Sequence, residues 1–318
     1  MDHRSLYVFF FAVVIACVQS AAPPQDLQFP ANETSAARQK RLYKESKPYL
    51  NDSLSELQQA MPELRGLKAG ETDLPALLTR VGQEIETLSL QMPNLISSEE
   101  VIQSRPGSRS GRSSRQQFNY LILVHRTAAG AEMSEYRTDL QNNGIGQPGG
   151  DRRAPTAHGF VLAWKYFHPT VRAESQFRYL GKQKIDGRNA DVVAFSQTPG
   201  LVGTPGEIRI GAEAFPMLHQ GIAWIDESTF RILRLRTDLL APQPEAQLEK
   251  LTTTVDFAEV RIPHSELRLW LPRMAVVDWK TIPGNSVTLS PTAVSGRYLE
   301  RHLYSHYHLY QVEVKIGS

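Results

Sequence analysis

The chain has 318 residues, 21% of them charged, and a formal net charge of +2. That length is enough to bury a substantial core, and so even a charge balance gives no basic field of the kind that draws nucleic acid. The only cysteine is Cys17, so the chain forms no internal disulfide.

Residues 1–20 read as a secretory signal peptide. Arg4 lies in the n-region, and Leu6 to Ala16 is an apolar run too short for a comfortable membrane span. Small or aliphatic residues in Val18-Gln19-Ser20 place cleavage near Ser20. Val14-Ile15-Ala16-Cys17 also resembles a bacterial lipobox at 14–17, in which Cys17 would be lipidated and tether the protein to a membrane. Both readings place the mature protein outside the cytoplasm, in the periplasm or outer envelope. Residues 21–70 read as a flexible segment with short helical pieces. Ala21 to Asn32 lacks periodicity, Ser35 to Lys47 is basic and suits a solvated helix or coil, and Ser53-Leu54-Ser55-Glu56 is a capping box.

Asp73 to Met92 is the strongest helix. Leu74, Leu77, Leu78, Val81, Ile85, Leu88 and Met92 form one stripe, with Asp73 as N-cap, Pro75 in the first turn and Pro93-Asn94 as the stop. One apolar stripe must pack on something, most simply a face of a sheet. Strands follow at Ser97–Gln103, Phe118–Val124 and Glu132–Thr138, then a Gly- and Asn-rich loop from Gln141 to Pro155. Gly159 to Phe167 is a short apolar segment, helical rather than extended, ended by Pro169.

The clearest stretch is Gln176 to Arg236, which holds two hairpins. Asp186-Gly187 joins Phe177–Ile185 to Ala190–Phe195, a pair suited to a type I′ turn. Asp226 to Thr229 joins Gly221–Ile225 to Phe230–Arg236, with Asp and Ser able to close the turn on nearby amides. Beyond it, Leu251, Thr253, Val255 and Phe257 alternate, as do Leu267, Leu269 and Leu271 up to Pro272. Arg297–Tyr310 and Val312–Ile316 end the chain, with a parity change between Leu309 and Val312 that predicts a bulge. One good helix among many strands predicts an α+β fold with a large curved antiparallel sheet.

Chemistry is harder to find. Gly144-Ile145-Gly146-Gln147-Pro148-Gly149 matches the letters of a dinucleotide fingerprint but lacks the strand before it and the helix after it. Arg105, Arg109, Arg112 and Arg115 lack interleaved aromatics for base stacking. His302, His306 and His308 fall with Tyr304 and Tyr310 on one face of the last long strand, at spacings poorly suited to a shared metal. Asp278, Glu300 and His264 have no spacing that compels a catalytic set. The G-x-S-x-G, H-E-x-x-H and P-loop motifs are absent. Catalytic residues, a metal and a cofactor are therefore not expected. Trp164, Trp224, Trp270 and Trp279 read as core or groove residues.

Two runs carry a resemblance: Tyr179-Leu180-Gly181 with Ile185-Asp186-Gly187-Arg188 and Val192-Val193-Ala194-Phe195, and Ala223-Trp224-Ile225-Asp226 with Thr229-Phe230-Arg231-Ile232-Leu233-Arg234. With the leading helix, they resemble the lipoprotein-localisation superfamily typified by LolA, LolB and RseB, over Asp73 to the C-terminus. The resemblance implies a half-open barrel for residues 71–318, plugged by helix, holding a lipid or lipoprotein acyl chain without catalysis. No functional residue of that family maps onto a position here. The groove candidates are Trp224, Phe230, Phe257, Leu269 and Trp270, with Gly159 to Phe167 as a movable lid. The alternatives are an envelope scaffold with a filled barrel, or an enzyme.

Overall fold

The computed structural model describes residues 12–15, 34–106, 113–127, 130–139, 161–203, 206–210, 213–281 and 296–310. Cys17, the Gly144–Gly149 match, Arg109, Arg112, Gly159 and the Val312–Ile316 strand lie outside the described residues. In chain order the elements are β1 (Ala12–Ile15), α1 (Ser35–Glu45), α2 (Leu54–Ala60), α3 (Leu74–Gln91), β2 (Leu95–Ser104), β3 (Ser113–Thr127) and β4 (Gly130–Asp139). Then come β5 (Ser175–Ile185), β6 (Arg188–Gln197), β7 (Gly206–Ile210), β8 (Glu213–Met217), β9 (His219–Asp226) and β10 (Ile232–Leu239). The last are β11 (Leu248–Arg261), β12 (Arg268–Thr281) and β13 (Arg297–Leu309).

Ten strands form one antiparallel sheet in the order β4-β3-β2-β13-β12-β11-β10-β9-β6-β5, and β1, β7 and β8 form a small second sheet. The large sheet is curved and open, giving an α+β half-open barrel with helix on its concave side. The turns form as their residues dictate. Asp186 and Gly187 have φ of 47° and 82°, the type I′ signature. Asp226 Oδ1 accepts from the Ser228 and Thr229 amides at 3.0 and 2.8 Å, and from both hydroxyls. Arg188 Nε donates to its other oxygen at 2.7 Å. Burial opposes that carboxylate's charge, but these donors outweigh it and hold its pKa far below the usual range. The return strand starts at Ile232 rather than Phe230, because Phe230 takes a φ of 57° within the turn.

Helix α3 is capped by Asp73, which accepts from the Ala76 amide at 3.1 Å. It buries Leu77, Leu78, Val81 and Ile85 against the concave face. Beside it runs a 3₁₀ segment, Val161–Phe167, in agreement with the helical expectation. Phe167 and Tyr166 pack on Phe195 of β6 at ring distances of 5.6 and 4.9 Å. Gly82 permits the close approach, since a Cβ there would lie 3.1 Å from Pro169.

The opposite face of β5, β6, β9 and β10 is also covered. Residues 49–68 lie across it, with the Ser53 capping box formed as read and Leu57, Met61, Leu64 and Leu67 buried. Gln183 donates to the Glu63 and Arg65 carbonyls, and Arg236 to Glu63. The Lys68 backbone bridges Lys182 on edge strand β5. Gly181, with a φ of 137°, makes room for it, because a Cβ would run into the Lys68 carbonyl. Cover on both faces explains why β6 and β9 read as near-continuous apolar runs.

Three features differ from the sequence expectations. The strand entered at Leu267 does not stop at Pro272; β12 continues to Thr281. The register shifts where Met274 pairs with Asp256 and Pro272 with Phe257, leaving Arg273 as the extra residue of a bulge. A bulge is where a strand tolerates a proline that cannot donate. The bulge expected between Leu309 and Val312 lies outside the described residues, while β13 carries an unforeseen bulge between Ser305 and His308, with His306 at φ 55°. It separates the three histidines: His302 points inward and is fully buried, whereas His306 and His308 are exposed and Tyr307 takes the inward position.

Candidate functional site

The concave interior has two zones. The first is a shallow cleft, open to solvent, between α3, the 161–167 segment and the β9–β10 turn. Ile85 and Leu88 of α3, Trp164, Ile232, Phe230 and Trp270 wall it, while Glu84, Arg231 and Arg268 stand at its rim. Trp270 Nε1 donates to the Ile232 carbonyl at 2.7 Å, so its indole is satisfied and fixed. Trp164 is 3% exposed, and its Nε1–H has no acceptor among the described residues. Elsewhere around α3 the concavity is filled by side chains, Phe257 and Val255 among them.

The zone beneath the 161–167 segment carries two titratable groups. His219 is buried with its ring 6.0 Å from Tyr166. Burial and the nearby Lys165 push its pKa down to about 4, against the pull of Asp238. Burial also lowers Lys165 to about 8, with Glu174 opposing.

The second zone is polar and closed. Arg137 of β4 donates twice to Glu99 of β2, from Nε and Nη2, both at 2.6 Å. His302 of β13 lies between Glu99 Oε1 at 2.8 Å and Glu300 Oε2 at 3.3 Å. Tyr304 donates to Glu99 at 3.1 Å and Gln103 to Glu300 at 2.9 Å. Burial works against the charge of Glu99, yet Arg137 and His302 outweigh it and hold its pKa at about 2. Burial likewise opposes the imidazolium of His302, but the carboxylates of Glu300 and Glu99 on either side of the ring raise its pKa above the ordinary value. Arg137 and His302 thus balance the two carboxylates in a place water does not reach.

The structure brings two of the five groove candidates together: Phe230 and Trp270 line the cleft. Phe257 lies deeper on the concave side, buried beside Pro272. Trp224 faces the other way and donates to Gln183 at 2.8 Å, under residues 49–68. Leu269 is buried on the face opposite its neighbour Trp270, as alternation along a strand requires. Asp278, Glu300 and His264 do not meet. Asp278 pairs with Arg297 at 2.7 Å, Glu300 turns inward, and His264 sits in the β11–β12 turn. Glu99 and Arg137 were not singled out from the sequence. Their one signal is a charge at an inward position, since Leu95, Ser97, Glu99 and Val101 share parity.

No family model matches the chain, and no curated protein does. Among solved structures it is similar to a LolA superfamily protein from Nitrosomonas europaea, at 10% identity and a TM-score of 0.35, covering 74% of this chain and 94% of that one. A DUF1329 family protein from Desulfovibrio piger gives 11% identity and a TM-score of 0.38 over 77% and 96%. A domain named for outer membrane lipoprotein sorting, from Vibrio parahaemolyticus, gives 11% and 0.37 over 72% and 90%. Each match spans about three quarters of this chain, in loose superposition and at identities that say nothing of a shared ligand.

Proposed function

We propose that the protein is an exported, non-catalytic carrier that holds a lipid or lipoprotein acyl chain between α3, the 161–167 segment and the concave sheet. The observation that supports it is the cleft itself, whose walls are Ile85, Leu88, Phe230 and Trp270. A full-length chain needs more room, and the segment beside the cleft is short, ends at Pro169 and is held mainly by Trp164, Tyr166 and Phe167. Exposing three such side chains costs roughly 5–9 kcal/mol, while burying about fourteen methylenes returns about 11 kcal/mol. The exchange of lid for lipid is therefore close to balanced, as reversible carriage requires. The export step rests on residues 1–20 and, for a tethered form, on Cys17.

Titration of the full chain with a fluorescent fatty-acyl probe tests this reading. Saturable binding is expected, weakened at least tenfold by Leu88→Glu with the fold retained. Native mass spectrometry of protein purified from membranes should show co-purifying lipid. A second reading, an envelope scaffold, is favoured by the side-chain filling around α3. A folded protein that binds no probe and carries no lipid would establish it instead.

A further inference from the structure

The cleft carries more than apolar walls, and its rim chemistry points to the head group of its ligand. Three arginines stand over two aromatic rings there, and a fourth lines the cleft. Arg80 lies 4.9 Å from the centre of the Phe230 ring; Arg188 and Arg231 lie 5.4 and 5.8 Å from that of Trp270. Arg268 lines the cleft directly. Three carboxylates answer them: Asp226 holds Arg188 at 2.7 Å, Glu84 reaches Arg231 at 3.5 Å, and Glu259 pairs with Arg268 at 3.0 Å. Arg188 is committed to a buried partner. Arg231 and Arg268 are 36% and 63% exposed, in pairs that water weakens. Arg80 has no ion-pair partner among the described residues. The rim is therefore net positive, and its guanidinium groups are free to turn toward a stronger acceptor.

The wall has an unmet demand as well. The Trp164 Nε1–H is buried without an acceptor among the described residues, which is unfavourable while it stays so. A hydrocarbon chain alone would leave the indole donor without an acceptor and the excess positive charge of the rim unmatched. A ligand that joins a chain to acceptor oxygens answers both.

The geometry points to an anionic single-chain amphiphile as the ligand of this cleft. Its chain lies on Ile85, Leu88, Phe230 and Trp270, and its carboxylate or phosphate oxygens are taken by Arg231 and Arg268. The assignment rests on the acyl-binding reading above and names the head group that reading leaves open.

Three ligands of equal chain length separate the possibilities when titrated into the full chain below their micelle concentrations. They are hexadecanoic acid, hexadecanol and a hexadecanoyl lysophosphatidic acid. Both acids should bind at least tenfold tighter than the alcohol, and added salt should reduce their affinity but not the alcohol's. The tighter acid identifies carboxylate or phosphate as the head group. In the Arg231→Gln/Arg268→Gln double variant, both sites being exposed, the acid-to-alcohol ratio should fall close to one. Equal affinity for acid and alcohol in the unaltered protein would overturn the anionic assignment and leave acyl binding standing. Failure of all three to bind would remove both.

Discussion

The half of the concave face built from β6, β9 and β10 and the half built from β2, β4 and β13 share one sheet and one curvature, yet they bury opposite chemistry. Under α3 and the 161–167 segment the contacts are Phe195, Tyr166, Phe167, Ile85 and Trp270, and the one buried histidine, His219, is kept neutral. Under β13 the contacts are Glu99, Arg137, Glu300 and Tyr304, and the buried histidine, His302, has its pKa raised by the carboxylates beside it. Non-directional packing lets one aromatic segment leave and another apolar body take its place. A bidentate ion pair locks strands together, because separating its partners leaves a buried charge. On the proposed carrier reading, the first half is the one that would open and the second the one that would hold.

The largest expected effect breaks the locked half. Arg137→Met should destabilise the fold by about 3–5 kcal/mol in urea denaturation, since it strands Glu99 in the interior. The double variant Arg137→Met/Glu99→Met should recover much of that loss. A double variant as unstable as the single one would show that the pair contributes more than its own mutual compensation.

Next comes the helix that the movable half leans on. Leu78→Ala should cost about 2–4 kcal/mol, while Gln83→Ala, on the exposed side of the same helix, should stay within about 0.5 kcal/mol. Equal small effects on the denaturation midpoint would mean that α3 is not docked.

Acid should then pull the two halves apart. His219 has a lowered folded pKa, so the native state binds fewer protons than the unfolded chain, and stability falls as pH drops from about 6.5 to about 4, by up to about 3 kcal/mol. His302 has a raised folded pKa. Its contribution is complete below the unfolded value near 6.5 and fades as pH rises through the folded one. Glu99 behaves as a depressed carboxylate, contributing about 3 kcal/mol above about pH 4.5 and losing it as pH falls toward about 2. Near pH 5 the polar half is therefore at full strength while the lid half is weakened. Hydrogen exchange at pH 7 and pH 5 should show faster opening of residues 161–167 at the lower pH, with β2 and β13 unchanged. His219→Gln should abolish the difference.

The smallest effect is a control on the surface. Lys280 and Glu249 pair at 2.7 Å on β12 and β11, but both are more than 40% exposed. Lys280→Ala should change stability by less than about 1 kcal/mol, and high salt should erase even that.

What the sequence determined by itself is the set of features whose causes are local. Asp186-Gly187 makes a type I′ turn wherever two strands need one, and Asp226 closes its turn with its own side chain on residues two and three further on. Asp73 and Ser53 cap helices through neighbours three residues away, and the stripe of α3 reports a buried face before anything shows what buries it. The antiparallel class followed from these, whereas β1, β7 and β8 were not foreseen. What only the tertiary structure decided depends on register. One extra residue at Arg273 and another near His306 turn every later side chain to the other face. The first puts Trp270 and Ala275 on one face of β12 although they are five residues apart, and the second parts His302 from His306. Glu99 meets Arg137 from 38 residues away and His302 from 203. No periodicity encodes such a meeting, because it follows from the summed register of the strands between them. The cover laid by residues 49–68 over the second sheet face is of the same kind, since Leu57, Met61 and Leu64 reach it from pieces too short to show a period.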